Sequence, residues 1–278
     1  MNKFEAMSVA PDGQHVVAMS AFDRYRDDDE NQDKFNVLLA WPANATEKTE
    51  VLSRSQRNAV VSSMALRSKL EMTVKKHYGA QAQYFKVEGL ALLPGSKIVF
   101  GLREIGQSFS SFGYKVALLE GRYKLTQSGI ELDEAVELAV IRDFSDGLDS
   151  LGSLGHTVGV SSLEYDPQKQ ILYVLTSFED QSSERVGAYL WTLPVVNGTY
   201  GTELTLVQDS KGKPFKFSSK AEGLALLGDG RLFVVHDDDR YDTQLKIGLG
   251  SNAVERARKN NEAYFQILRM HSTQRSQP

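Results

Sequence analysis

Four segments of this chain repeat one pattern, and the repetition limits the fold more than any other feature. Lys220 to Asp239 reads KAEGLALLGDGRLFVVHDDD, and Lys86 to Glu104 reads KVEGLALLPGSKIVFGLRE. Lys3 to Asp23, KFEAMSVAPDGQHVVAMSAFD, and Val160 to Asp180, VSSLEYDPQKQILYVLTSFED, are altered copies. Each has a small, mostly apolar run, a turn of Pro, Gly or Asp, and a second run rich in β-branched, aromatic and Leu residues. That is the grammar of a β-hairpin. Aligned on the turns, the equivalent positions are Glu5, Glu88, Ser161 and Glu222. Repetition on this scale in an all-β chain predicts a β-propeller with four recognisable blade hairpins, because a four-stranded blade cannot bury its faces alone. A sandwich of similar hairpins is the alternative.

With 278 residues, 41% hydrophobic and 24% charged, the chain is long enough for one large all-β domain, residues 1–278. A net charge of −4 supplies no field to hold a polyanion, so nucleic acid is not an expected partner. The absence of cysteine excludes disulfides and thiolate metal sites. Residues 1–20 lack the basic start and apolar core of a signal peptide, and no run approaches the length needed to span a bilayer. As written, the chain is expected in the cytoplasm, or in the periplasm if its N-terminus is incomplete.

The repeat divides the chain into units at about 4–54, 87–145, 160–209 and 221–271. Unit one adds strands at Phe35 to Trp41 and Thr49 to Leu52. Unit two adds Tyr114 to Leu119 and Val136 to Phe144, with EIGQSFSSFG as a loop between its hairpin and its third strand. Unit three adds Val186 to Pro194 and Glu203 to Gln208, and unit four a strand at Tyr264 to Met270. Two short helical insertions are expected. Residues 55–78 carry apolar positions at Val60, Met64, Leu66, Leu70 and Val74 amid charge, and a short helix starts at Asn252, where Glu255 completes a capping box. Unit four shows three clear strands and unit one has none to spare ahead of its hairpin. The propeller is therefore a small ring with irregular closure or a truncated larger one, and an unclosed edge would suit a homodimer or a covering helix.

In a propeller the innermost strand starts at one face of the ring and the second strand returns to it, so both charged hairpin ends meet there. The starts contribute Glu5, Glu88, Ser161 and Glu222. The returns contribute Asp23 and Arg24, Arg103 and Glu104, Glu179 and Asp180, and His236 with Asp237, Asp238 and Asp239. Hard cations such as calcium take six to eight oxygen ligands, and Glu5, Glu88, Glu222 and Asp237 could supply them from separate blades. Arg24 and Arg103 could hold a phosphate or carboxylate through their planar forks. The alternative is structural, each Glu accepting backbone N–H bonds from the next blade.

The EGLAL motif at Glu88 to Leu92 and Glu222 to Leu226, with its following turn and FGLRE at Phe100 to Glu104, resembles an uncharacterised family of bacterial β-propeller proteins. It is similar also to esterase-like and phytase-like propellers. Ala6 in place of Gly, and Ser161 in place of Glu, depart from the motif. The resemblance implies a metal-dependent, hydrolase-like propeller acting on a small anionic substrate, a phosphorylated one among the options, at the channel mouth. In that reading calcium polarises the phosphate, and Arg103, His236 and Asp238 are the catalytic candidates. The competing expectation is a non-enzymatic binding or scaffold propeller that meets a protein partner.

Other chemistries lack their patterns. Asp27, Asp29 and Asn31 open like a calcium loop, but Gln32 and Leu38 stand where its Gly and Glu belong. The five histidines are too widely spaced for a compact zinc pair, and neither a GxSxG elbow nor a phosphate-cradling glycine loop is present.

Overall fold

The turns that punctuate the repeat set the blades. Gly13 and Gly230 sit at φ of 70° and 78° at the hairpin tips of the first and last units, a region that residues with a Cβ enter at a cost. Asp12 and Asp229 accept the backbone N–H two residues on from their side-chain oxygens, closing each turn. The computed structural model describes residues 4–24, 34–57, 60–127, 129–145, 155–179, 186–237, 244–247, 254–257 and 262–270. Over these residues the chain is a four-bladed β-propeller, four sheets in a ring.

Blade one runs β1 (Phe4–Val9), β2 (His15–Ser20), β3 (Leu38–Pro42) and β4 (Glu50–Val51), in that spatial order. A short hairpin, β5 (Ser55–Arg57) and β6 (Val60–Ser62), leads to helix α1 (Met64–Tyr78). Blade two is β7 (Tyr84–Leu93), β8 (Lys97–Ser108), β9 (Ser111–Leu125) and β10 (Ile130–Leu132), with β11 (Ala139–Asp143) also on β9. Blade three is β12 (Gly159–Asp166), β13 (Ile171–Glu179), β14 (Val186–Val196) and β15 (Thr199–Tyr200), with β16 (Thr205–Leu206) and β17 (Lys216–Phe217) on β14. Blade four begins with β18 (Ala221–Leu226) and β19 (Leu232–His236). A separate hairpin, β20 (Gln244–Ile247) with β21 (Val254–Ala257), precedes its last strand, β22 (Tyr264–Leu268).

Three sequence expectations change. Over the described residues the helical insertion is only α1, since residues 55–57 and 60–62 pair as β5 and β6, where β-branched Val60 and Val61 favour strand. Leu66, Leu70 and Val74 of α1 do pack as expected, into the core between blades one and two. The helix expected from Asn252 is replaced over residues 254–257 by strand β21, whose ladder with β20 outweighs the local capping signal. EIGQSFSSFG is not a loop. β8 and β9 pair out to Ser108 and Ser111, with Tyr84 packed edge-to-face on Phe109 and tilted against Phe112 at ring separations of 6.1 and 5.7 Å. Such aromatic packing outweighs the weak strand propensity of Gly and Ser.

Apolar residues join the blades in three clusters. One joins blades one and two, the second two and three, the third three and four. The innermost strands β1, β7, β12 and β18 pack in that order. All four carry a bulge at the same repeat position. The register skips Glu5 between Phe4 and Ala6, Glu88 between Val87 and Gly89, Ser161 between Val160 and Ser162, and Glu222 between Ala221 and Gly223. A bulge inserts one unpaired residue and re-aims its side chain. The residue after it packs toward the next blade, where Gly89 lies so close to β12 that an added Cβ would come within 2.7 Å of Leu163 and 3.0 Å of Val160.

Two of the three junctions also share a polar device, which blade two lacks because Ala91 holds the position. The third residue after the bulge accepts an N–H from the next innermost strand, Ser8 Oγ from Leu92 at 3.0 Å and Glu164 Oε1 from Leu226 at 2.9 Å. Those strands would otherwise present unpaired donors to a dry junction.

Candidate functional site

The bulges bring the sequence-predicted carboxylates together with basic residues. Glu88 is 3% exposed, and its Oε1 lies 2.5 Å from Lys86 Nζ while its Oε2 lies 3.2 Å from Arg103 Nη1. Arg103, 2% exposed, also reaches blade three. Its Nη1 donates to Ser161 Oγ and Ser177 Oγ, both at 2.9 Å, and to the Val160 carbonyl at 3.2 Å. Those two hydroxyls are 2.6 Å apart. Arg103 Nε is 3.5 Å from Glu104 Oε1, whose other oxygen accepts from Tyr84 Oη at 2.8 Å, and the guanidinium lies over the Tyr114 ring. On blade four Lys220 pairs with Glu222 Oε1 at 2.6 Å and with Glu179 of blade three.

A single repeat explains this arrangement. Lys86-Val87-Glu88 and Lys220-Ala221-Glu222 each place a lysine two residues before the bulged Glu. Blade three has Gly159-Val160-Ser161 at the same positions, without either charge. Arg103 fills that gap. It passes over Gly159, where an added Cβ would meet Arg103 Cγ at 2.9 Å and its carbonyl oxygen at 3.0 Å. Arg103 is itself a bulged residue, skipped between Leu102 and Glu104 on β8. Two bulges facing each other therefore aim Glu88 and Arg103 into one contact.

The electrostatics follow from burial and neighbours. Burial pushes the Glu88 carboxyl up, but Arg103 and Lys86 together outweigh it and hold Glu88 below its usual value. For Glu222 burial wins over Lys220, helped by repulsion from Glu88, and its carboxyl is raised. Glu104 is raised by burial against the pull of Lys86 and Arg103. Burial lowers Lys86, Arg103 and Lys220, yet the surrounding carboxylates carry all three above their ordinary values. Glu88 thus has Lys86 and Arg103 beside it within the chain, and Glu222 has Lys220.

The remaining predicted residues sit as follows. Glu5 acts electrostatically on Lys86, and Asp23 on Tyr84, so blade one reaches the same cluster. Arg24, half-buried, comes next after Asp23. His236 is 2% exposed, hydrogen-bonded through Nδ1 to Ser219 Oγ at 2.8 Å, and packed against Phe217 and Tyr264. Exposed Asp237 donates its backbone N–H to the Lys220 carbonyl at 3.0 Å. Asp238, like Asp180 and Asp239, lies outside the described residues. Among the described residues no group of three or more His, Cys, Asp or Glu side chains is placed to hold a metal ion, and no helix is long and apolar enough to cross a membrane.

Sequence reasoning named Glu88, Arg103, Glu104, Glu179 and Glu222 but missed Lys86, Lys220, Ser177 and Tyr84. A signal for the lysines was present. Lys-x-Glu recurs at Lys3, Lys86 and Lys220, and it breaks where Gly159 and Ser161 make room for Arg103. No family model matches the chain, and no curated protein matches it.

Proposed function

We propose that this chain is a non-enzymatic binding or scaffold propeller, in which the axial charge network staples blades two, three and four into a rigid frame. The observation that carries this reading is Arg103. Its guanidinium is spread over Glu88 and Glu104 of its own blade and over the Val160 carbonyl, Ser161 and Ser177 of the next. A buried cation with so many fixed partners joins two elements, and an anionic substrate would have to displace several of them. Lys86 and Lys220 stand beside Glu88 and Glu222 where a calcium reading would put the metal.

A second reading, metal-dependent hydrolysis of a small anionic ester, draws on one observation. Five carboxylates, Glu5, Glu88, Glu104, Glu179 and Glu222, act on the three cations Lys86, Arg103 and Lys220, and burial pushes Glu104 and Glu222 up. A carboxylate surplus with raised members suits a cation or acid–base chemistry. Hydrolysis of p-nitrophenyl phosphate and p-nitrophenyl acetate with added calcium separates the two. The scaffold reading expects no turnover that depends on Glu222. Turnover in the wild type that is lost in Glu222→Gln, with the fold intact by circular dichroism, would replace it with the hydrolase reading.

A further inference from the structure

The innermost strands define what a blade offers to its neighbours. The residue before each bulge and the second residue after it point back at the preceding blade. These are Val87 and Leu90 in blade two, Val160 and Leu163 in blade three, and Ala221 and Leu224 in blade four, all buried in the junction clusters. In blade one the same positions are Phe4 and Met7, which are 46% and 59% exposed. Val9, two residues on, is 51% exposed.

Blade four shows the complementary half. The face it turns away from blade three carries Gly223 and Ala225 on β18, opposite Val235 and Phe233 on β19, and these opposite Phe265 and Ile267 on β22. Phe265 and Ile267 are 54% and 44% exposed. Gly223 holds the repeat position at which Gly89 receives Val160 and Leu163, yet among the described residues an added Cβ there would meet only Val235 of its own blade, at 3.5 Å. Among the described residues no apolar cluster joins blade four to blade one. The chain therefore carries both halves of its own blade junction, each apolar and each exposed. Contiguous exposed apolar surface of this kind marks an interaction site.

We propose that blade four of one copy docks on blade one of a second copy of this chain, Phe4 and Met7 seating beside Gly223 as Val160 and Leu163 seat on Gly89. The occupant is fixed by the repeat, because the surface that fits an outgoing blade face in this molecule is an incoming innermost strand, and blade one presents an uncovered one. The contact is heterologous, two different patches meeting, and two such contacts close a pair.

Light scattering coupled to size exclusion, from dilute to concentrated protein, tests this with two variants, Met7→Glu and Phe265→Glu. Both residues are exposed, so each variant stays folded, as circular dichroism would show, and at a dilution where the wild type is monomeric it melts close to the wild type. The wild type is expected to reach about twice the 30.9 kDa chain mass as concentration rises, and each variant alone to stay monomeric. An equimolar mixture of the two variants should form a one-to-one pair, because each supplies the face that the other lost. A wild type that stays monomeric throughout overturns the proposal, as a ring closed within one chain or a different covering partner would produce. So does association that survives either substitution, or association lost in both variants and not restored on mixing, which means like faces meet.

Discussion

Replacing Arg103 with Met tests the axial network at its most connected point. Met keeps much of the side-chain length and removes the charge, so Glu88, 3% exposed, loses the partner 3.2 Å from its Oε2. Removing one member of a buried ion pair costs about 3–5 kcal/mol, because the other charge stays buried and uncompensated. Lys86 remains 2.5 Å from Oε1, and Ser161 and Ser177 still have each other at 2.6 Å, which puts the expectation at the lower end, about 3 kcal/mol. For a domain of this size that is a fall of about 6–12 °C in Tm. Urea unfolding followed through buried Trp191 gives the free energy, and an unchanged urea dependence shows that the same surface unfolds. Pairing the change with Glu88→Gln removes the stranded charge, so the double variant should be more stable than the sum of the single losses predicts, by about 1–3 kcal/mol. An Arg103→Met loss below about 1 kcal/mol, or strict additivity with Glu88→Gln, would refute the staple.

Two further outcomes follow from the junctions. Burial pushes Glu164 up to about 7, against the hydrogen bond from Leu226 N–H, while Asp166 adds to the rise. The folded protein therefore holds a proton that the unfolded chain releases near its ordinary value of 4.5, and the stabilisation, complete below that pH, is lost as pH rises through 7. Glu164→Gln keeps an acceptor for Leu226 and removes the charge, so it should raise stability at pH 8 by about 1–3 kcal/mol and change little at pH 4, as thermal melts at both pH values would show. A variant less stable than wild type at pH 8 contradicts this. Gly89→Ala forces a Cβ to within 2.7 Å of Leu163, against 3.5 Å to the nearest atom for Gly223→Ala. Urea unfolding at low protein concentration should show a loss of about 1–3 kcal/mol for the first and almost none for the second.

The four hairpins were legible because their signals are local. Turn glycines, alternating apolar runs and charged ends all lie within a twenty-residue reading frame, and β1 with β2, β7 with β8, β12 with β13 and β18 with β19 fall where the repeat places them. The meeting of Glu88 with Arg103 was legible too, since both lie at the charged ends of one hairpin. The identity of the counter-ions was not. Reading the charged ends as carboxylates awaiting a cation overlooked lysines two residues earlier, and a bulge changes which side chains share a face in a way that strict alternation does not reveal. The gap in blade three is a relation between distant parts of the chain, Gly159 making room for a side chain from β8. EIGQSFSSFG and residues 254–257 misled for a related reason. Local Gly, Ser and capping signals compete with strand pairing that only the assembled sheet supplies.

In the scaffold reading Glu88 and Glu222 are neutralised by Lys86, Arg103 and Lys220 in place of a metal. Thermal unfolding after exhaustive chelation, with and without added calcium, tests it most directly on the wild type, Glu88→Gln and Glu222→Gln. A ligand that binds only the folded state must raise its Tm by mass action. Calcium should leave the wild-type Tm where chelation put it, and Glu88→Gln should lower Tm equally in both conditions. A calcium-dependent rise in the wild type that disappears in both variants would contradict it and place a metal among these carboxylates.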